Sequence, residues 1–192
     1  MNMNRQAELI QKMTGKELTF HLYISQCVLI LISIILCFFT FSSFSDFLLL
    51  FQWNSFWILI GAIAGIIVVG LDLLLMKIVP KAYYDDGGIN AKIFSDMPVW
   101  KIALVALFIA LAEEILFRGV LQTQFGLIVA SFVFALIHFR YWRHWYLLIN
   151  VIVLSFFLGL IYLWSGQQLL PTIAMHFMID FFLGLYIRRS KS

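Results

Sequence analysis

Long apolar stretches alternate with short polar segments along this chain. A helix that crosses a bilayer needs about 20 mostly apolar residues. We predict membrane-spanning helices over residues 21–41, 54–79, 99–117, 121–139, 145–164 and 168–187. The pattern therefore predicts an all-α, polytopic membrane helical bundle of about six transmembrane helices, folded as a single membrane domain over residues 1–192.

The composition excludes a soluble globular protein. Hydrophobic residues make up 63% of the chain and charged residues 12%, whereas soluble domains have about 45–50% apolar and about 25% charged residues. The lipid bilayer is therefore an expected partner. The net charge of +3 is modest and the basic residues are scattered, so we expect no nucleic acid partner.

The basic residues predict how the helices are oriented. If the N-terminus is cytoplasmic, every lysine and arginine except Arg118 falls on the cytoplasmic side of the predicted spans. Lysine and arginine are enriched in the cytoplasmic loops of membrane proteins. We therefore predict a multi-pass integral membrane protein with both termini in the cytoplasm.

Ionisable residues lie inside the predicted helices of the second half of the chain. A charge at the centre of a membrane helix costs about 2.5–3.5 kcal/mol on insertion scales, and such residues usually face the bundle interior. The residues concerned are Glu113, Glu114, Arg118, His138, His176 and Asp180. Glu114 and Arg118 are four residues apart, as are His176 and Asp180, so each pair shares a helix face. Glu113 points about 100° away from Glu114.

Several functions are compatible with such residues. Hydrogen bonding between helices explains the Glu114–Arg118 pair, but the other four residues are more than packing requires. Buried glutamates and histidines also form proton relays, so a proton-coupled membrane transporter is one alternative. The absence of an inverted repeat argues against it. A non-catalytic immunity or scaffold protein is another alternative.

The same residue types suit amide hydrolysis. A glutamate in a low-dielectric cavity can act as a base, one histidine can orient the water, and a second can stabilise the oxyanion by about 3–4 kcal/mol. Glu113, His138 and His176 would also suit a divalent metal such as zinc. No His-Glu-x-x-His motif is present. We expect no obligatory metal and identify no certain cofactor.

Three motifs follow one another in the second half of the chain, and together they resemble the CPBP family of CAAX proteases and bacteriocin-processing enzymes. They are Glu113-Glu114-x-x-x-Arg118, Phe134-x-x-x-His138 and His176-x-x-x-Asp180. The resemblance covers residues 99–187 as a catalytic core and leaves the helices of residues 1–98 outside the motifs. It implies an intramembrane endopeptidase of a bacterial cell membrane. Its substrate would be a membrane-embedded or lipid-anchored peptide or protein, in CAAX-type processing, bacteriocin maturation or self-immunity.

The resemblance also implies roles for the individual residues. Glu113 and His138 would activate the catalytic water, while His176 and Asp180 would bind the oxyanion. Glu114 and Arg118 (the remaining motif positions) would support and orient the site. Many family members have asparagine where this chain has Asp180, and an ionised aspartate cannot donate a hydrogen bond. Asp180 would instead hold His176 in its donor tautomer or stay protonated.

The predicted helix boundaries conflict with this site. Glu113 would lie near the outer end of the third helix, whereas His138 would lie near the inner end of the fourth. The two residues can converge if both helices are short and joined inside the protein. They can also converge if the fourth helix begins later than residue 121. The polar stretch Gly119–Gly126 would fit a break of this kind.

Overall fold

Helices form the regular structure of this protein. The computed structural model describes residues 12–142 and 144–190, and no strand occurs within those two ranges. The helices are Gly15–Thr40 (α1), Phe44–Leu48 (α2), Ser55–Leu75 (α3), Lys81–Tyr84 (α4), Ile89–Phe94 (α5), Val99–Glu114 (α6), Thr123–Ile137 (α7), Trp145–Trp164 (α8) and Leu169–Ser190 (α9). A π-helical segment, Ile115–Gln122, joins α6 to α7. The predicted all-α membrane bundle is confirmed.

The chain reverses its direction at Gly126, within the long helical stretch 99–137. The ring centroids of Phe117 and Phe134 are 4.8 Å apart, whereas a straight helix would separate these two residues by about 25 Å. Gly126 has φ 82° and ψ 170°, a conformation that is open essentially only to glycine. Residues 99–137 therefore form a helical hairpin, and the fourth predicted helix begins after Gly126 rather than at residue 121.

The hairpin accounts for the difference between the predicted and observed numbers of spans. Within the described residues, five helices are long and apolar enough to cross a membrane when 99–137 is taken as one. The returning arm, residues 127–137, is about 16 Å long. A bilayer core is about 30 Å thick, so this arm crosses only about half of it. The structure thus has five candidate spans where about six are predicted, because the fourth predicted span is the short returning arm of the hairpin.

Close contacts show that α3 and α9 run in the same direction. A Cβ atom placed on Gly61 would lie 2.1 Å from the carbonyl oxygen of Pro171, and one on Gly65 would lie 2.5 Å from that of Met175. The two backbones therefore touch, as small residues four apart allow in membrane helices. Parallel packing of these helices requires an odd number of crossings between them. The outgoing arm of the hairpin, its returning arm and α8 supply three.

Helix α1 packs beside α6 and has few buried residues. The ring of Tyr23 lies 5.8 Å from that of Phe108. The buried residues of α1 are mostly polar, with Thr19, Gln26 and Ser33 spaced seven residues apart. Seven residues are close to two helical turns, so these side chains form one stripe. This stripe faces the bundle, while much of the apolar remainder of α1 is exposed to lipid.

The ends of the bundle are covered by short segments. Helix α5 packs with Leu18 and Ile102 at one end, and Leu50 packs with Tyr162 and Leu169 at the other. The alternating directions of the helices agree with the predicted topology, but which end is cytoplasmic stays a prediction. Arg5, Arg143 and Lys191, on which that prediction partly rests, lie outside the described residues.

Replacing Gly65 with alanine tests the contact between α3 and α9. We expect Gly65→Ala to lower the free energy of unfolding by about 1–3 kcal/mol, because the new methyl group overlaps the backbone of α9. Gly70→Ala is a matched control, since no atom lies within 4 Å of a Cβ atom there. Alanine favours helix equally at both positions. Thermal unfolding in detergent measures the difference, and equal stability of the two variants would contradict the observed packing.

Candidate active site

The imidazole of His176 lies at the centre of the ionisable cluster. Its Nδ1 atom is 2.9 Å from Oε1 of Glu114. Its Nε2 atom is 3.9 Å from Oε2 of Glu113 and 3.6 Å from Oδ2 of Asp180. Only the first distance is a normal hydrogen bond, and Nδ1 donates because an ionised carboxylate can only accept. The other nitrogen faces two carboxylates that are close but not directly bonded to it.

Glu114 and Arg118 form a fully buried ion pair, as their spacing predicts. Oε2 of Glu114 lies 3.3 Å from Nε of Arg118, and both side chains have 0% exposure. Arg118 also donates a hydrogen bond of 3.1 Å from Nη2 to Oγ of Ser155 on α8. Its guanidinium lies 5.4 Å from the centroid of the Phe134 ring. Arg118 thus connects the π-helical segment to α7 and α8.

His138 ends the returning arm of the hairpin and stacks on Phe134. Its Nδ1 atom is 2.7 Å from the carbonyl oxygen of Phe134. A carbonyl only accepts, so Nδ1 carries the hydrogen, and Nε2 of the neutral ring is free to accept one. The ring centroids of His138 and Phe134 are 4.6 Å apart, and those of Phe134 and His176 are 6.5 Å apart. Phe134 therefore contacts both imidazoles.

The hairpin resolves the conflict between the predicted depths of Glu113 and His138. Phe117 and Phe134 lie opposite each other in antiparallel arms. Glu113 lies four residues before Phe117, and His138 lies four residues after Phe134, so antiparallel arms bring the two towards the same level. Of the two alternatives, the later start of the fourth helix is the one that the structure has.

Glu113 has a partner that the sequence did not suggest. Nε2 of Gln26, on α1, donates a hydrogen bond of 3.2 Å to Oε1 of Glu113. Both side chains are buried. A single glutamine in an apolar helix gives little signal, but the seven-residue spacing of Thr19, Gln26 and Ser33 would have indicated a face turned towards the bundle. Ser155, the partner of Arg118, lacks a comparable signal.

The candidate metal ligands do not form a ready-made site. Among residues 12–142 and 144–190, no group of three His, Cys, Asp or Glu side chains is placed to hold a metal ion. In the candidate set of Glu113, His138 and His176, Nδ1 of each histidine is hydrogen bonded within the protein. Nε2 is therefore the nitrogen of each ring that could bind a metal.

Together, the fold and the site define a polytopic membrane protein with carboxylates and imidazoles gathered inside its helical bundle. Residues 95–182 match the family described as type II CAAX prenyl endopeptidase Rce1-like. The chain is 49% identical over 128 residues to the uncharacterized protein YpbD of Bacillus subtilis (strain 168), and the match covers 67% of each chain. No solved structure matches the chain. The protein belongs to the Rce1-like family of membrane proteases, part of the CPBP group, which confirms the resemblance.

Removing the guanidinium tests the buried ion pair. We expect Arg118→Met to lower the free energy of unfolding by about 3–5 kcal/mol, because Glu114 is left as an uncompensated buried charge. Adding Glu114→Gln should recover much of this loss, since the amide is neutral and its oxygen can still accept from His176. Unfolding in detergent measures both variants. Equal stability of the single and double variants would show that the charge of Glu114 is not the cause.

Proposed function

We propose that the protein is an intramembrane endopeptidase that hydrolyses peptide bonds by means of a water activated by Glu113 and His138. One observation carries the proposal. Oε2 of Glu113 and Nε2 of His176 face each other 3.9 Å apart inside the bundle. A basic oxygen and a hydrogen-bonding nitrogen thus border the same space, and we propose that His138 reaches this space from the end of the hairpin.

In the first step, the water is deprotonated. One hydrogen of the water is directed to Oε2 of Glu113 and the other to Nε2 of His138, which is free to accept because Nδ1 donates to Phe134. Glu113 takes the proton as the water oxygen bonds to the carbonyl carbon of the peptide. Proton transfer of this kind to a positioned side chain contributes about 10²–10⁴-fold to a rate.

In the same step, His176 stabilises the oxyanion. Its Nδ1–H donates to Glu114, which fixes the plane of the ring. A hydrogen on Nε2 is stabilised by the neighbouring carboxylates of Glu113 and Asp180, and it can be redirected to the developing negative charge. We propose that Asp180 acts through His176, because an ionised carboxylate would repel an oxyanion.

In the second step, the intermediate collapses. The carbon–nitrogen bond breaks, and the proton that Glu113 took from water moves to the leaving amine nitrogen. The carboxylate of Glu113 is thereby regenerated, and the products are a carboxylic acid, which keeps the second hydrogen of the water, and an amine. Glu114 and Arg118 take no part in proton transfer, because each already satisfies the charge of the other.

The substrate that we propose is a membrane-embedded or lipid-anchored peptide or protein. Glu113, His176 and Asp180 lie within segments 99–137 and 169–190, both apolar enough to cross a membrane, and His138 directly follows the first of them. A peptide held at the bilayer reaches such a site far more readily than a dissolved one. The family description names a CAAX prenyl endopeptidase, and CAAX-type processing is our first expectation, with bacteriocin maturation or self-immunity as the other. We place the protein in a bacterial cell membrane.

Cleavage by purified protein in liposomes tests the proposal. We expect Glu113→Gln and His138→Ala each to lower the rate at least about 100-fold, because each removes a group that contacts the reacting water. The substrate is a quenched fluorescent peptide carrying a lipid anchor. The same peptide without an anchor should be cleaved much more slowly.

Ser131→Ala is the matched control for this assay. Ser131 lies on α7, the same helix that leads to His138, and its side chain is buried. The variant should cleave at nearly the rate of the unmodified protein, which would also exclude a serine nucleophile. Unchanged cleavage in both Glu113→Gln and His138→Ala would refute the proposed chemistry. Proton flux without cleavage would favour a transporter instead.

A further inference from the structure

Helix α1 contributes a residue to the candidate site although it lies outside the family match. The match covers residues 95–182, whereas Gln26 lies in Gly15–Thr40. The amide of Gln26 is 6% exposed and contacts Glu113 directly. Its position is set by packing on both sides, because Tyr23 contacts Phe108 and Leu29 packs against the cluster around Phe117.

The contact distinguishes between the two oxygens of Glu113. An ionised carboxylate only accepts, so the N–H group of Gln26 faces Oε1. The other oxygen, Oε2, is left facing Nε2 of His176. We infer that Gln26 is a positioning residue, which holds Glu113 so that Oε2 is the oxygen that takes the proton from water. This inference rests on the proposed function.

The amide of Gln26 does more than hold two helices together by hydrogen bonding. Its own carbonyl oxygen, Oε1, is buried and has no hydrogen-bond partner within the part of the chain that the structure describes. Leaving a buried acceptor unpaired is unfavourable. Ser33, two turns further along the same face, instead satisfies its hydroxyl by bonding to the carbonyl oxygen of Leu29. The orientation of the Gln26 amide thus satisfies Oε1 of Glu113 and leaves its own carbonyl oxygen unpaired.

Kinetics of Gln26→Met test the inference. Methionine keeps the length of the side chain but removes the N–H group. We expect kcat to fall about ten- to a hundredfold, the equivalent of one hydrogen bond to a charged group, while KM changes less than about twofold because substrate contacts are kept. Ser33→Ala is the control, since it removes an equally buried polar group from the same face of α1 and should leave both constants unchanged.

A double-mutant cycle on stability tests the contact between Gln26 and Glu113 independently of cleavage. Gln26→Met should lower the melting temperature of the unmodified protein more than that of Glu113→Ala, in which the hydrogen bond is already lost. If Gln26→Met does not fold, Gln26→Asn takes its place. Its side chain is one methylene shorter and cannot reach Oε1, so the same loss of kcat is expected.

The possible results separate this inference from the proposed function. If the unmodified protein does not cleave the anchored peptide, the proposed function fails and the role of Gln26 fails with it. If the unmodified protein cleaves and Gln26→Met has an unchanged kcat, the inference alone is overturned. An equal loss of kcat in Ser33→Ala also overturns it, because the effect would then come from the packing of α1.

Discussion

The charges around His176 constrain the whole bundle. Glu113, Glu114 and Asp180 all lie within 4 Å of its ring nitrogens, and Arg118 is the nearby cation that is always charged. Unpaired charges are strongly unfavourable in a low-dielectric interior. Because these groups come from α6, the π-helical segment and α9, those elements cannot slide past one another without leaving a charge uncompensated. The electrostatic pairing therefore fixes the registers of these helices.

Glycine residues make this arrangement sterically possible. Gly61 and Gly65 bring the backbones of α3 and α9 into contact, which sets the depth of His176. Gly126 has a different role, since its positive φ lets the chain turn back so that Phe134 lies beside Phe117. Gly61 and Gly65 allow two helices to approach closely, and Gly126 allows the chain to reverse its direction. All three act on the positions of helices, and none of them takes part in the chemistry.

The sequence predicts the features that depend on local properties. Hydropathy predicts the helices, and the cost of burying charge singles out the ionisable residues as candidates for the site. Both can be judged from each residue and its neighbours along the chain. The Glu114–Arg118 pair follows from its spacing. The motifs predict that Glu113 and His138 converge, but the place where the chain turns back could not be predicted, because it depends on one backbone conformation at Gly126 within a continuous apolar stretch. Gln26 was missed because its partner is distant along the chain and a lone amide carries no charge.

Glu113 and Glu114 are adjacent along the chain but have different surroundings. Successive residues point about 100° apart, so Glu113 reaches α1 whereas Glu114 reaches Arg118 and His176. Both oxygens of Glu114 are engaged by these two partners, and the side chain has no exposure. Glu113 is hydrogen bonded through one oxygen and keeps the other turned towards His176. Two identical side chains thus have different surroundings, which is how separate roles arise, and the proposed function assigns proton transfer to the incompletely paired one.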